Sequence, residues 1–262
     1  MSLIIYEGFD YATSGSNNAL NGQNGGTGWG EAWSTSGAYF SDILAGSLTY
    51  TGLVTVGNYT RFGNQGNGTA YERDFRLFNS IIPNDGNVYW FGFSMAAFDS
   101  KNAATFQFDL NAHFDGLGLT TDSAGTTPAN ILRTGSNASP TDITTQSGGV
   151  LFTGNSGYTV HMIMIKISMS GVSTNPITLT YYVDPILAND DSTWTPTQTL
   201  STLYSPGGLG GLGWNGARAS SASNGYVRFD EFRIATTSTE AYGGTIPATT
   251  GNFFMFMSNY RG

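Results

Sequence analysis

Hydrophobic residues in this chain recur at every second position, and over no useful length do they recur at the three-to-four-residue spacing of an amphipathic helix. The clearest run is Ile177-Thr178-Leu179-Thr180-Tyr181-Tyr182-Val183-Asp184. Successive side chains of an extended chain point to opposite faces, so Ile177, Leu179, Tyr181 and Val183 share one face. Thr178, Thr180, Tyr182 and Asp184 share the other, as a half-solvated antiparallel strand requires. Residues 104–110 alternate just as cleanly, whereas 88–98 and 160–167 are apolar on nearly both faces and predict central strands. Gly, Asn and Ser clusters separate these runs, as turns do between the strands of a sandwich or barrel.

The chain reads as one domain of 262 residues with no internal repeat and no interdomain linker. Residues 12–28 and 120–149 read as long Gly/Ser/Thr/Asn-rich connections, where a binding surface would sit. Hydrophobic residues make up 39% of the chain and aromatic ones 14%, enough for a sizeable core. Charged residues are only 11%, against roughly 25% in ordinary soluble domains, so the surface is built largely from Gly, Ser, Thr and Asn. Hydroxyl and amide groups bond to sugars or neighbouring subunits without desolvating charge. A net charge of −8 with ten Lys plus Arg argues against a phosphate backbone as partner, and nucleic acid is not expected.

The absence of cysteine excludes disulfides, thiolate metal sites and a Cys nucleophile. Residues 1–8 carry neither the basic region nor the apolar stretch of a secretory signal. No run approaches the roughly 20 apolar residues of a spanning helix. Neither an export signal nor membrane insertion is therefore expected of this chain.

Two stretches carry a family resemblance. The first is Ile4-Ile5-Tyr6-Glu7-Gly8-Phe9-Asp10-Tyr11 running into Leu20-Asn21-Gly22-Gln23-Asn24-Gly25-Gly26-Thr27-Gly28-Trp29; the second is residues 227–237, Val-Arg-Phe-Asp-Glu-Phe-Arg-Ile-Ala-Thr-Thr. They resemble the first and last strands of concanavalin A-like (laminin G-like) β-sandwich modules of bacterial surface proteins. The resemblance implies an all-β fold, an antiparallel β-sandwich of concanavalin A-like jelly-roll type, with residues 1–240 as the sandwich and 241–262 as a C-terminal tail. Within the second stretch Val227 and Phe229 fall on one face and Phe232 and Ile234 on the other. A β-bulge at Asp230-Glu231 would restore the register, and only such a bulge could bring these two carboxylates together.

Sandwiches of this type include glycoside hydrolases with Glu-x-Asp-x-x-Glu on one strand. Glu72-Arg73-Asp74-Phe75-Arg76-Leu77 begins that pattern, but Leu77 stands where the second Glu belongs. A retaining glycosidase needs two carboxyls about 5–5.5 Å apart, so no catalytic residue is assigned. Glu72, Asp74 and Arg76 are expected to form an outward, mutually compensated polar face. The ligands of a legume-lectin metal site do not follow Asp230-Glu231. His113 and His161, the only histidines, read as packing or surface residues, and no Gly-x-Ser-x-Gly elbow is present. The glycine-rich run 207–214 predicts a twisted strand or a close backbone approach.

Three sites remain as candidates. Asp184, Asp190 and Asp191 supply hard oxygens after a strand, and calcium accepts irregular ligand sets of this kind, although Asx clusters also serve simply as turn formers. Trp29 and Trp33, beside the first long loop, are candidates for stacking on a glycan. Phe253, Phe254, Met255, Phe256 and Met257 form an apolar run that either adds an edge strand or docks on another subunit.

Three function classes follow. The first is a non-catalytic structural or surface-display module, a virion-type or cell-surface decoration protein that docks to an assembly, as a homo-oligomer, and contacts glycans. The missing export and anchoring signals are the reason to expect a virion. The second is a carbohydrate-binding, lectin-like module, and the third and least supported is a glycoside hydrolase.

Overall fold

Among the described residues fifteen strands form: β1 (Leu3–Glu7), β2 (Ser34–Ser36), β3 (Phe40–Leu44), β4 (Tyr59–Gly63), β5 (Glu72–Pro83), β6 (Val88–Ala97), β7 (Asn102–Asp109), β8 (Phe114–Thr121), β9 (Pro128–Thr134), β10 (Thr144–Gln146), β11 (His161–Ser168), β12 (Thr178–Val183), β13 (Gln198–Ser201), β14 (Gly208–Arg218) and β15 (Tyr226–Ala235). A single helical turn, α1 (Ser238–Ala241), follows. The structure, a computed structural model, describes residues 2–14, 19–36, 40–63, 72–97, 102–109, 114–121, 128–134, 144–146, 159–172, 174–175, 177–201, 208–218 and 226–244. Strands β9 and β10 fall inside residues 120–149, which sequence alone reads as one long connection. The Phe253–Met257 run and His113 lie outside the described residues.

Every strand pair is antiparallel. One sheet has the order β13-β12-β11-β6-β15-β4-β3, with β1 also on β15; the other has the order β10-β9-β8-β7-β14-β5-β2. The fold is an antiparallel β-sandwich of jelly-roll type. Phe91, Phe93, Ile163, Ile165, Phe229 and Phe232 from the first sheet meet Phe78, Ile82, Leu209 and Leu212 from the second in one buried cluster. Burying each such side chain contributes about 1.5–3 kcal/mol.

The two segments with apolar residues on both faces are central, as their pattern demands: β11 lies between β12 and β6, and β6 between β11 and β15. Their second face builds a smaller cluster outside the sandwich. Trp90, Met162, Met164 and Tyr182 are buried there beneath Leu187, Trp194, Ala241 and the partly buried Tyr50 and Leu53. The outer face of β12 is covered at Tyr182, while Thr178 and Thr180 stay partly exposed and Asp184 is exposed, as a half-solvated strand requires. Ala241 and Tyr242, at the start of the expected tail, belong to this cover.

Strand β15 carries the expected bulge. Its register on β6 shifts between Asp230 and Arg233, and Glu231 adopts a left-handed φ of 58°. Before the bulge β15 pairs with β4 and after it with β1. Strand β5 faces the other way from expectation. Asp74 and Arg76 point inward with 0% and 1% of their surface exposed, while Phe75 and Leu77 are only partly buried. The correction has a physical cause: buried acceptors supplied by distant segments hold Arg76 inside. The glycine-rich run is strand β14, where a Cβ on Gly213 would lie 2.3 Å from Asp74 O.

Candidate functional site

Strand β12 ends in a turn that only a few residue types tolerate. Asp184 has a φ of 52°, a left-handed conformation in which Asp and Asn are enriched. Its backbone N–H donates to Met162 O at 2.8 Å, and its Oδ1 accepts from Met162 N at 2.9 Å. Its Oδ2 lies 2.6 Å from His161 Nδ1. These three contacts fix how the chain leaves the sheet.

The segment that follows folds back on the sheet. Asn189 N–H donates to Ile186 O at 2.9 Å, and Asp190 caps a single 3₁₀ turn, Asp191–Thr193, by accepting from Ser192 N at 2.9 Å. These bonds hold the Asp190 carboxyl below its ordinary range. Trp194 anchors the return. Its indole N–H donates to Ile186 O at 3.1 Å, and its ring meets Trp90 and Tyr182 edge-on at 5.8 and 5.7 Å. Tyr50 ties in a third segment by donating to Pro185 O at 3.2 Å.

Between β12 and this turn lies a cleft of about 250 Å³, lined among others by Tyr182, Asp184, Ile186, Asn189, Thr193 and Trp194. Its wall combines two aromatic rings, an aliphatic side chain, a carboxylate, an amide and hydroxyls, and it opens to solvent. Apolar walls with a few convergent polar groups are the usual makeup of a small-molecule site. Ile186 is 66% exposed at its rim.

The calcium candidates Asp184, Asp190 and Asp191 sit on this same turn but do not converge. Asp184 is committed to His161 and Met162, and Asp190 to the 3₁₀ turn. Among the described residues no group of three or more His, Cys, Asp and Glu side chains is placed to hold a metal ion.

Trp33 is a correction. It is 1% exposed and donates its indole N–H to Glu7 Oε2 at 2.9 Å, so it offers no face to a sugar. Trp29 is partly buried, donates to Tyr6 O at 2.8 Å and is covered by the Arg76 guanidinium 4.7 Å from its ring centroid. Both rings brace an internal ion pair. Arg76 Nη1 is 2.7 Å from Glu7 Oε2, its Nη2 donates to Asn24 Oδ1 at 2.6 Å, and its Nε donates to Glu31 O at 2.6 Å. Glu7 also accepts from Tyr11 Oη at 2.6 Å and Phe9 N at 2.9 Å. Burial pushes its carboxyl above the ordinary range against these bonds and Arg76.

The bulge on β15 gathers a second internal group. Asp230 accepts from Leu48 N and Glu231 N, each at 2.9 Å. Glu231 bonds to Val56 N and, at 2.6 Å, to Arg233 Nη2, which also donates to Val54 O. Burial, then the Glu231 charge, pushes the Asp230 carboxyl up to about 9. The two acids are fully buried and pin residues 48–56 to the sheet.

Sequence reading named Asp184 but missed the aromatic walls. The available signal was Tyr182, an aromatic on the polar face of an alternating strand, with a tryptophan twelve residues on.

No protein-family model and no curated protein matches the sequence. Solved structures share the architecture. An endo-β-1,4-glucuronan lyase from the fungus Trichoderma reesei aligns at 11% identity over 90% of this chain and 96% of its own, with a TM-score of 0.48. An alginate lyase from Aplysia kurodai aligns at 11% identity over 70% and 84%, with a TM-score of 0.47. The CBM2 module of the evolved Dit protein of Lactobacillus casei BL23 phage J-1 aligns at 6% identity over 88% and 94%, with a TM-score of 0.42. At such identities and scores the likeness is one of architecture and assigns no activity.

Proposed function

We propose that this chain is a non-catalytic carbohydrate-binding β-sandwich module displayed on an exterior surface, a virion or a cell, with the cleft at the end of β12 as its sugar contact. The observation that carries this reading is the cleft itself. The exposed Ile186, with what remains accessible of the largely buried Tyr182 and Trp194, supplies apolar surface for a sugar, while Asp184, Asn189 and Thr193 supply acceptors and donors for its hydroxyls. The buried state of Glu7, Asp74, Asp230 and Glu231 favours binding over hydrolysis, because none of these carboxyls can meet a glycosidic bond. The low-charge exterior supports display outside the cell. In the same reading the Phe253–Met257 run docks the module on another subunit.

Screening on a glycan array, followed by NMR titration, tests the sugar contact. Bound glycan is expected to shift the signals of Tyr182, Asp184, Asn189 and the Trp194 indole, and Asn189→Ala is expected to weaken binding without moving the melting temperature. A flat array overturns the reading, as does release of reducing ends from mixed β-glucans by the purified protein.

A further inference from the structure

We infer that residues 48–56 act as a strap that holds the cleft in shape, and that the buried acids of the β15 bulge are its pH-sensitive catch. The inference goes beyond the sugar reading, because it concerns the shape of the cleft whether or not a sugar occupies it.

Residues 45–58 belong to no strand, so side chains rather than a ladder fasten the strap. At its near end Leu48 N–H donates to Asp230 Oδ2 at 2.9 Å, and Leu48 O accepts from Ser94 Oγ at 3.1 Å. At its far end Val56 N–H donates to Glu231 Oε1, and Val54 O accepts from Arg233 Nη2 at 2.6 Å. Asp230, Glu231 and Arg233 of one bulge thus hold both ends. Between the ends the strap turns, with Leu53 N–H donating to Tyr50 O at 3.0 Å and Gly52 at a φ of 88°. This turn lies on the segment that walls the cleft. Tyr50 Oη donates to Pro185 O at 3.2 Å, and a Cβ on Gly52 would come within 3.1 Å of Leu187 Cβ. Tyr50 and Leu53 also pack on the outer cluster that contains Leu187 and Trp194. Releasing the ends of the strap therefore takes away a support of the cleft.

The catch responds to pH because closing the strap buries its acids, both of them 0% exposed. Burial, and then the Glu231 charge, pushes the Asp230 carboxyl up to about 9, while the Leu48 and Glu231 amides and then Arg233 pull the other way. Tyr6 faces the pair from β1, where Asp230, Glu231 and Arg233 all act on its hydroxyl. From β6 the residue opposite Asp230 is Ser94, and from the strap it is Leu48, neither of which titrates. Arg228 of β15 and Tyr59 and Arg61 of β4 stand before the bulge, with Arg61 paired to Asp42. Helix α1 carries Glu240, which is bonded to Thr237. An open strap returns Asp230 to water, where its carboxyl titrates near 3.8. Opening is then linked to proton release. The strap is tightest below about pH 4 and loosens as pH climbs toward about 9, by at most about tenfold per pH unit.

Amide hydrogen exchange on the whole chain at pH 6 and pH 8, corrected for the pH dependence of intrinsic exchange, tests this. The opening constants of residues 48–56 and 184–195 are expected to rise together between the two, by about tenfold to a hundredfold, and to exceed those of β11 at both. Asp230→Asn is expected to shrink the rise in both segments. Tyr50→Phe removes the bond to Pro185 and leaves the catch alone. It should raise the opening constant of 184–195 about fivefold at pH 6 while the Val54 and Val56 amides keep theirs, and it decides alone if Asp230→Asn does not fold. The inference is overturned if 184–195 keeps the same opening constant at both pH values, if Tyr50→Phe leaves that segment unchanged, or if both segments open only together with β11. No glycan enters the measurement, so each of these outcomes leaves the carbohydrate reading standing, and a flat glycan array leaves the strap standing.

Discussion

Arg76 reaches Glu7 across the interior, Nη1 to Oε2 at 2.7 Å, and so joins a strand of one sheet to a strand of the other. Both side chains are 1% exposed. The pair is embedded in donors and acceptors, since Trp33, Tyr11 and the Phe9 amide complete Glu7 while Asn24 and Glu31 O complete Arg76. Removing one partner of such a pair leaves an uncompensated buried charge, which costs about 3–5 kcal/mol. Arg76→Met is therefore expected to lower the urea midpoint severely. Glu7→Gln leaves the always-charged Arg76 buried without its counter-ion and is expected to cost a similar amount, and equilibrium denaturation of the two variants checks both.

The acids at the β15 bulge make stability depend on pH with a definite sign. Asp230 has a folded pKa of about 9, raised from 3.8 chiefly by burial and then by Glu231. Glu7 and Glu231 are raised as well, each chiefly by burial. A group whose folded pKa is raised stabilises the fold fully below its unfolded pKa and loses that contribution as pH climbs to the folded value. For Asp230 the loss runs from about pH 4 to about pH 9, at no more than about 1.4 kcal/mol per pH unit. The protein is expected to melt higher at pH 5 than at pH 8. In Asp230→Asn the difference between the two should shrink, and scanning calorimetry at both pH values checks it.

What sequence could and could not reveal divides along these same residues. Alternation over 177–184 placed β12, and the two-sided apolar runs placed β6 and β11 at the centre, because period and burial are local properties. The register slip at Asp230-Glu231 was legible for the same reason. Arg76 was not, because a charged residue on an alternating strand reads as outward until its acceptors are known. Those acceptors come from Glu7, Asn24 and Glu31, which lie 69, 52 and 45 residues away. Trp33 was misread for the same reason, its partner Glu7 lying 26 residues back. The cleft needed Trp194 to fold back onto Trp90, a contact that spans strands and leaves no periodic trace.

Gly213 tests the close approach of β5 and β14. Its amide pairs in register with Phe75 on one side and Gln107 on the other, and an added Cβ would lie 2.3 Å from Asp74 O and 2.7 Å from Phe75 Cβ. Backbone cannot yield as the tip of a side chain can, so Gly213→Ala is expected to cost about 1–3 kcal/mol through overpacking. Gly46, whose Cβ would meet nothing within 4 Å, is a poor control because its φ of 90° strains any side chain. Thermal melts of Gly213→Ala beside Thr199→Ala, on the exposed edge strand β13, give the cleaner comparison.

Trp33 and Trp194 separate the role of core tryptophans from that of the cleft. Trp33 stacks on Phe9 at 6.0 Å and lies 5.6 Å from Trp29, wholly inside the sandwich, and Phe- or Trp-to-Ala changes in such places cost about 3–5 kcal/mol. Trp33→Ala is expected to lower the melting temperature strongly while the folded fraction keeps its glycan affinity. Trp194 packs in the outer cluster instead, against Trp90, Tyr182 and Tyr242. Its loss releases the 3₁₀ turn and one wall of the cleft but leaves the sandwich core intact. Trp194→Ala should thus abolish glycan binding with a smaller drop in melting temperature than Trp33→Ala. Amide hydrogen exchange should place the new opening in residues 184–195. Equal effects of the two substitutions on both stability and binding would show that the outer cluster and the sandwich core unfold as one unit and that the cleft has no separate existence.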